Sequence, residues 1–169
     1  MSAATIFDLV SSLAVIAGLV FAVAEIRQYR SAREYEVALA MLQSMQTPDF
    51  IKALRVLYAL PEDLSRGEVE ERLGDDAILL YTLMTTWESL GIFVCRRHLR
   101  LGLVDDFFSG SIAISWRKLE RYVREERAAQ DRPTLLEWFQ WLAERMRERE
   151  AESPPLPAYE AEREWKAER

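Results

Sequence analysis

Residues 77–95 read AILLYTLMTTWESLGIFVC, and the reading of this stretch decides the fold. Apolar side chains, among them Ile78, Leu80, Leu83, Trp87, Leu90 and Phe93, fall on every side of a helix drawn through it. A helix that is hydrophobic all round is either the centre of a bundle or a membrane span. At 1.5 Å per residue it is about 28 Å long, enough for either. Thr82, Thr85, Thr86, Glu88 and Ser89 occupy its middle, where hydrocarbon tolerates a carboxylate least. The stretch is therefore read as the core helix of an all-α bundle, with Asp75 or Asp76 as its cap. Glu88 then needs a partner, because an unpaired charge in a core is costly. Arg117 and Arg121 are the candidates, and a catalytic carboxylate is the alternative role. With an arginine partner, Glu88→Leu should keep or raise stability, whereas Glu88→Gln should lower it by orphaning the cation.

Towards the N-terminus, residues 61–76 are acidic and read as a solvated connector, in which a short helix around Glu68 to Leu73, ended by Gly74, would fit. Before them, Thr47-Pro48-Asp49 has the chemistry of a helix start: an N-cap, a proline at the first helical position and an acid facing the dipole. Phe50, Leu54, Leu57 and Tyr58 give that helix its buried face, and Leu60-Pro61 closes it. Residues 31–45 hold no Gly or Pro, and Tyr35, Ala38, Leu39, Leu42 and Met45 make an apolar stripe. They continue a second apolar stretch, Ile6 to Ile26, which is uncharged from Leu9 to Ala24.

Helical, residues 6–26 would measure about 31 Å and just cross a bilayer core. Thr5 and Asp8 have capping-box spacing. No Lys or Arg precedes the stretch, while Arg27, Arg30 and Arg33 follow it, which places the C-terminal side in the cytoplasm. The lack of a basic N-terminal region argues against a cleaved signal peptide. Ala14, Gly18 and Ala22 share one face, where small residues would let two spans approach as a homodimer.

Towards the C-terminus, Arg96, Arg97, His98 and Arg100 form a basic turn. A short helix is expected at Asp105-Asp106-Phe107-Phe108, ending near Gly110, and a longer one from Ser111 to about Gln130. Ile112, Trp116, Leu119 and Val123 line the core side of the longer helix. Arg117, Lys118, Arg121 and Arg124 form a neighbouring face, expected to pair with Glu120 and Glu125 rather than with headgroups. Asp131-Arg132-Pro133 breaks the chain. Thr134 is the expected cap of the last helix, whose stripe is Leu135, Phe139, Leu142 and Met146, widened by Trp138 and Trp141. The proline run from Pro154 to Pro157 cannot continue it.

The composition narrows the function classes. Of 169 residues, 50 % are hydrophobic and 30 % charged, which is the balance of a folded chain. A net charge of −6 argues against nucleic acid as a partner. One Cys and one His, Cys95 and His98, cannot make a zinc site. The six glycines are scattered, with no phosphate-cradling loop. No catalytic, cofactor-binding or metal-ligating residue is assigned.

The order of features does resemble a known family. An arginine-rich exit from a single span, the Thr47-Pro48-Asp49-Phe50 helix start, Leu60-Pro61, Trp87-Glu88-x-Leu90-Gly91, Asp105-Asp106-Phe107, Trp116-x-x-Leu119 and a final Trp/Phe/Leu helix follow one another. The chain resembles, over roughly residues 5–150, the bacterial domain-of-unknown-function family numbered 4760. The resemblance implies a mostly helical, membrane-anchored protein and supplies no activity and no catalytic residue.

The expected architecture is an all-α chain with an N-terminal transmembrane segment at 1–26. It continues into a cytoplasmic helical domain of about five to six helices at 27–152, followed by a flexible tail at 153–169. The expected location is the inner (plasma) membrane, single-pass, N-terminus outside. The expected function is a non-enzymatic interaction or regulatory module. It would contact the lipid bilayer, a protein partner and, through the span, a second copy. A hydrolase using Glu88 is the alternative.

Overall fold

The computed structural model describes residues 15–29, 36–37, 39–40, 43, 45–154 and 156–167. Among them there is helix and turn but no strand. The contacts divide the chain into two units, Met1–Met45 and Gln46–Arg169.

In the first unit, residues 15–29 form one helix, α1, and every one of them is exposed. Thr5, Asp8, Ala14, Arg30 and Arg33, and the stripe residues Tyr35, Ala38 and Leu42, lie outside the described residues, as does most of the expected continuation to Met45.

The second unit holds α2 (Pro48–Ala59), α3 (Arg66–Leu73), α4 (Ala77–Cys95), α5 (Leu101–Ala129), α6 (Glu137–Glu152) and a four-residue helix α7 (Ala158–Ala161). The ends of α2 and α3 follow local chemistry closely. Thr47 accepts the N–H of Phe50 at 3.2 Å, Pro48 occupies the first turn, and α2 ends at Ala59 before Leu60-Pro61. Ser65 and Glu68 close a reciprocal capping box on α3, and Gly74, at φ +50°, ends that helix.

The helix α4 is the organising element, packed against α2 and α6, with α5 closing on α6. Leu80, Leu83, Met84 and Trp87 are almost fully buried along one side of it. Trp87 is held in the core by the edge of Phe50 at 5.7 Å, by Phe108 at 5.7 Å and by a hydrogen bond from its Nε1 to Ser115 Oγ at 3.0 Å. Ser115 Oγ donates in turn to Ser111 O at 2.6 Å, so both buried polar groups are satisfied. Most of the expected stripes are buried too: Ile112, Trp116, Leu119 and Val123 on α5, and Phe139, Leu142 and Met146 on α6, whereas Leu135 is half-buried ahead of α6 and Tyr58, expected on the buried face of α2, is exposed.

Three local expectations are corrected. The chain from Leu101 to Ala129 is one 29-residue helix, not two. A mid-helix glycine disfavours helix by only about 1 kcal/mol relative to alanine. Burial of Val104 on one side of Gly110 and Ile112 on the other outweighs that. Asp105, expected at the start of the shorter helix, lies within α5 and pairs with Arg149 Nε at 2.9 Å. Secondly, neither Asp75 nor Asp76 caps α4 through its side chain. They lie in a 3-10 turn, Gly74–Asp76, and the Asp76 carboxylate instead takes Lys52 Nζ at 2.8 Å. Thirdly, α6 starts three residues later than Thr134, after a buried Leu136 in the left-handed region at φ 55°.

Candidate functional site: the joint between α4 and α6

The residues of the Trp87-Glu88-x-Leu90-Gly91 stretch meet the start of α6. Glu88 and Gly91 are three apart and so share a helix face. Gly91 brings its backbone so close to Trp138 that an added Cβ would lie 2.3 Å from Trp138 O and 2.8 Å from Trp138 C. Glu88 Oε2, on the same face, accepts the N–H of Phe139 at 2.7 Å.

The need for Glu88 follows from the start of α6. The first N–H groups of any helix lack intrahelical acceptors. The residue at the cap position, Leu136, has no acceptor in its side chain and makes no capping bond. Glu88 supplies that acceptor from another helix, and its negative charge faces the positive end of the α6 dipole. Burial pushes the Glu88 carboxyl above its usual range. The N–H groups of Phe139 and Trp138 and the charge of Arg127 oppose that rise, and Glu137 adds to it.

Arg127 completes the joint. Its Nε donates to Leu135 O at 2.8 Å, its Nη2 to Leu136 O at 3.2 Å and its Nη1 to Gln140 Oε1 at 2.8 Å. The guanidinium thereby fastens the loop that carries Leu136 in its strained conformation. The expected partners of Glu88 are elsewhere. Arg117 Nε pairs with Glu62 at 2.8 Å, and Arg121 Nε with Glu125 at 3.0 Å. Arg124 pairs with Glu120 at 2.6 Å, so three cations of the basic face are neutralised by acids, as expected for Glu120 and Glu125.

Lys118, on the same face, does something the sequence did not reveal. Its Nζ donates to Tyr58 O at 2.8 Å and also to Leu60 O, placing a cation on the last carbonyls of α2. A second feature missed is the buried carboxylate of Glu126, held by Arg66 Nε at 2.8 Å and Gln130 Nε2 at 2.6 Å. Both rest on contacts between residues some 60 apart in sequence, or between neighbours of ordinary surface type.

Among the described residues no three His, Cys, Asp or Glu gather as a metal site. Cys95 and His98 are exposed at the end of α4. An open hollow of about 790 Å³ lies against α2, lined by Thr47, Pro48, Ile51, Lys52, Arg55 and Val56 among others, and Glu88 is not part of it. Among the described residues one helical run, Arg66–Cys95, is long and apolar enough to cross a membrane, with 44 % of its apolar window buried. It contains α4, which has one face in the core and the other exposed.

No curated protein and no solved structure matches the chain. The family described as Domain of unknown function (DUF4760) matches residues 12–146, a span that includes Thr47, Trp87, Glu88, Gly91 and Trp138. The chain belongs to that family, and the matched span takes in the residues that build the joint between α4 and α6.

Proposed function

We propose that the protein is a membrane-anchored helical module, facing the cytoplasm, that acts by binding a protein partner rather than by catalysis. The observation that carries the anchoring is α1. Val15, Leu19, Val20 and Phe21 are each more than 60 % exposed, and they point to different sides of the helix. Apolar side chains exposed all round a helix are unfavourable in water and favourable in lipid. Arg27 at its C-terminal side supports the orientation with the second unit inside, at the inner membrane.

The non-catalytic reading is supported by how the distinctive residues are used. Trp87, Glu88, Gly91 and Trp116 are engaged in packing or capping. The hydrolase alternative has one supporting observation, the raised carboxyl of Glu88. It requires that carboxyl to leave Phe139 during the reaction.

The test is fractionation of the full-length chain expressed in a bacterium. It should sediment with membranes, resist carbonate extraction and keep a C-terminal tag protected from protease added to spheroplasts. A full-length product in the soluble fraction would defeat the anchoring, and a digested tag would reverse the orientation.

A further inference from the structure

The exposed side of α4 is unusual for a helix that organises a core. From Ala77 to Cys95 the only charged residue is Glu88, and it is turned to α6. The side turned away from the core, bordered by Glu88 where it reaches across to α6, exposes Ile78 (65 %), Tyr81 (37 %), Ile92 (37 %) and Phe93 (48 %), with Thr82, Thr85 and Ser89 between them.

Those central hydroxyls are not waiting for water. Thr82 Oγ1 donates to Ile78 O at 3.0 Å, Thr85 Oγ1 to Tyr81 O at 2.9 Å and Ser89 Oγ to Thr85 O at 2.9 Å. Covering the centre of this face therefore leaves none of these three donors unpaired, which lowers the usual penalty for burying polar groups. The face has bulky residues near both ends and small ones in the middle, so it presents a shallow saddle.

The two ends carry opposite charge. Asp75 lies one turn before Ile78, and Arg96 lies one turn after Ile92. Both are exposed, and neither makes an ion pair among the described residues. A face acidic at one end, basic at the other and apolar between is complementary to itself when reversed. Centred on Thr85, an antiparallel copy sets Ile78 opposite Ile92, Tyr81 opposite Ser89, and Asp75 beside Arg96. A two-fold axis makes every such contact twice. A membrane surface suits the face less well, since an anionic leaflet that attracted Arg96 at one end would repel Asp75 at the other.

We propose that the exposed face of α4 is a homodimer interface, in which α4 of a second copy packs antiparallel with Thr85 at the two-fold axis. This names a partner for the interaction-module reading and rests on it for the sense of the dimer. The experiment below is done in detergent, where anchoring plays no part, so the two readings fail separately.

The full-length chain is prepared in detergent micelles with Cys95→Ser, and single cysteines are introduced at exposed positions. Thr85→Cys should cross-link to itself under mild oxidation, because the two thiols meet at the axis. Ile78→Cys should not, because its symmetry mate is about 21 Å away along the helix. The cross-linked fraction is expected to differ at least tenfold. Added to Thr85→Cys, Asp75→Arg should lower cross-linking on the order of tenfold by setting like charges together twice, and Arg96→Asp in the same chain should restore it. A monomeric Thr85→Cys chain, equal cross-linking of Ile78→Cys, or failure of the charge swap to restore it would each overturn the proposal. So would Thr85→Cys that never cross-links but becomes shielded from a water-soluble maleimide when anionic lipid is added to the micelles, which would assign the face to lipid.

Discussion

Replacing Gly91 by alanine sets two effects of opposite sign against each other. Helix propensity alone favours the change by about 1 kcal/mol, because Gly91 lies well inside α4. Sterics oppose it. The new Cβ would sit 2.3 Å from Trp138 O, a backbone atom that cannot swing aside. Ordinary contact requires α4 and the start of α6 to separate by about 1 Å, and overpacking of that kind costs about 1–3 kcal/mol. The same separation stretches the 2.7 Å bond from Phe139 N to Glu88 beyond hydrogen-bonding distance, and an unsatisfied N–H adds about 1–3 kcal/mol.

The net expectation is a loss of about 1–5 kcal/mol, a large part of the stability of an ordinary domain. Urea unfolding of the full chain, followed by circular dichroism at 222 nm, measures it. Gly110→Ala is the control: Gly110 is exposed on α5 with nothing within 4 Å of its Cβ position, so that change should be neutral or stabilise by up to about 1 kcal/mol. A Gly91→Ala chain as stable as the original, or one that gains as Gly110→Ala does, would refute the close approach of α4 and α6.

Glu88 gives a second prediction, in which the structure reverses the order expected from sequence. Its partner is a backbone N–H, so Glu88→Gln keeps an acceptor and should hold stability near neutral pH, whereas Glu88→Leu orphans Phe139 N and should lose about 1–3 kcal/mol. Because burial raises the folded carboxyl, its protonated form is favoured by folding. The original chain should therefore lose stability relative to Glu88→Gln as pH rises from the ordinary carboxylate range through the raised value, and unfolding curves across pH 4 to 8 would show a constant difference if the rise is absent. Tyr122 gives a third. Burial, with the nearby Glu126 charge, lifts its hydroxyl to about 12, so stability should fall as pH rises from about 10 through that value. The fall attributable to Tyr122 is about 2–3 kcal/mol, and Tyr122→Phe should lack it in alkaline unfolding; identical curves for the two chains would count against the burial.

The parts legible from sequence were those governed by neighbours in the chain. Thr47-Pro48-Asp49, Leu60-Pro61 and Gly74 mark helix ends through local backbone chemistry, and the structure ends its helices there. The stripe through Ile112, Trp116, Leu119 and Val123 follows from helical spacing alone. What failed was anything settled by a distant segment. Gly110 looked like a stop because its neighbours could not reveal the core burial that carries α5 through it. Thr134 looked like a cap because the sequence near it holds no sign that Glu88, 51 residues away from Phe139, does the capping. Glu88 itself was singled out correctly as a residue in need of a partner. The partner was missed because backbone N–H groups are present at every non-proline position and leave no mark in a sequence.

The pairing of Gly91 with Glu88 also fixes how far α6 can slide. Shifting α6 along α4 by one residue, about 1.5 Å, would press Trp138 O towards a side chain instead of the bare backbone of Gly91. Shifting it by a full turn would carry Phe139 N beyond the reach of Glu88. One position supplies clearance and the other supplies an attachment, and only a single longitudinal setting satisfies both. The two helices are thus indexed like a pin in a notch. Any homologue that moved the glycine without moving the carboxylate would have to find a different seat for its last long helix.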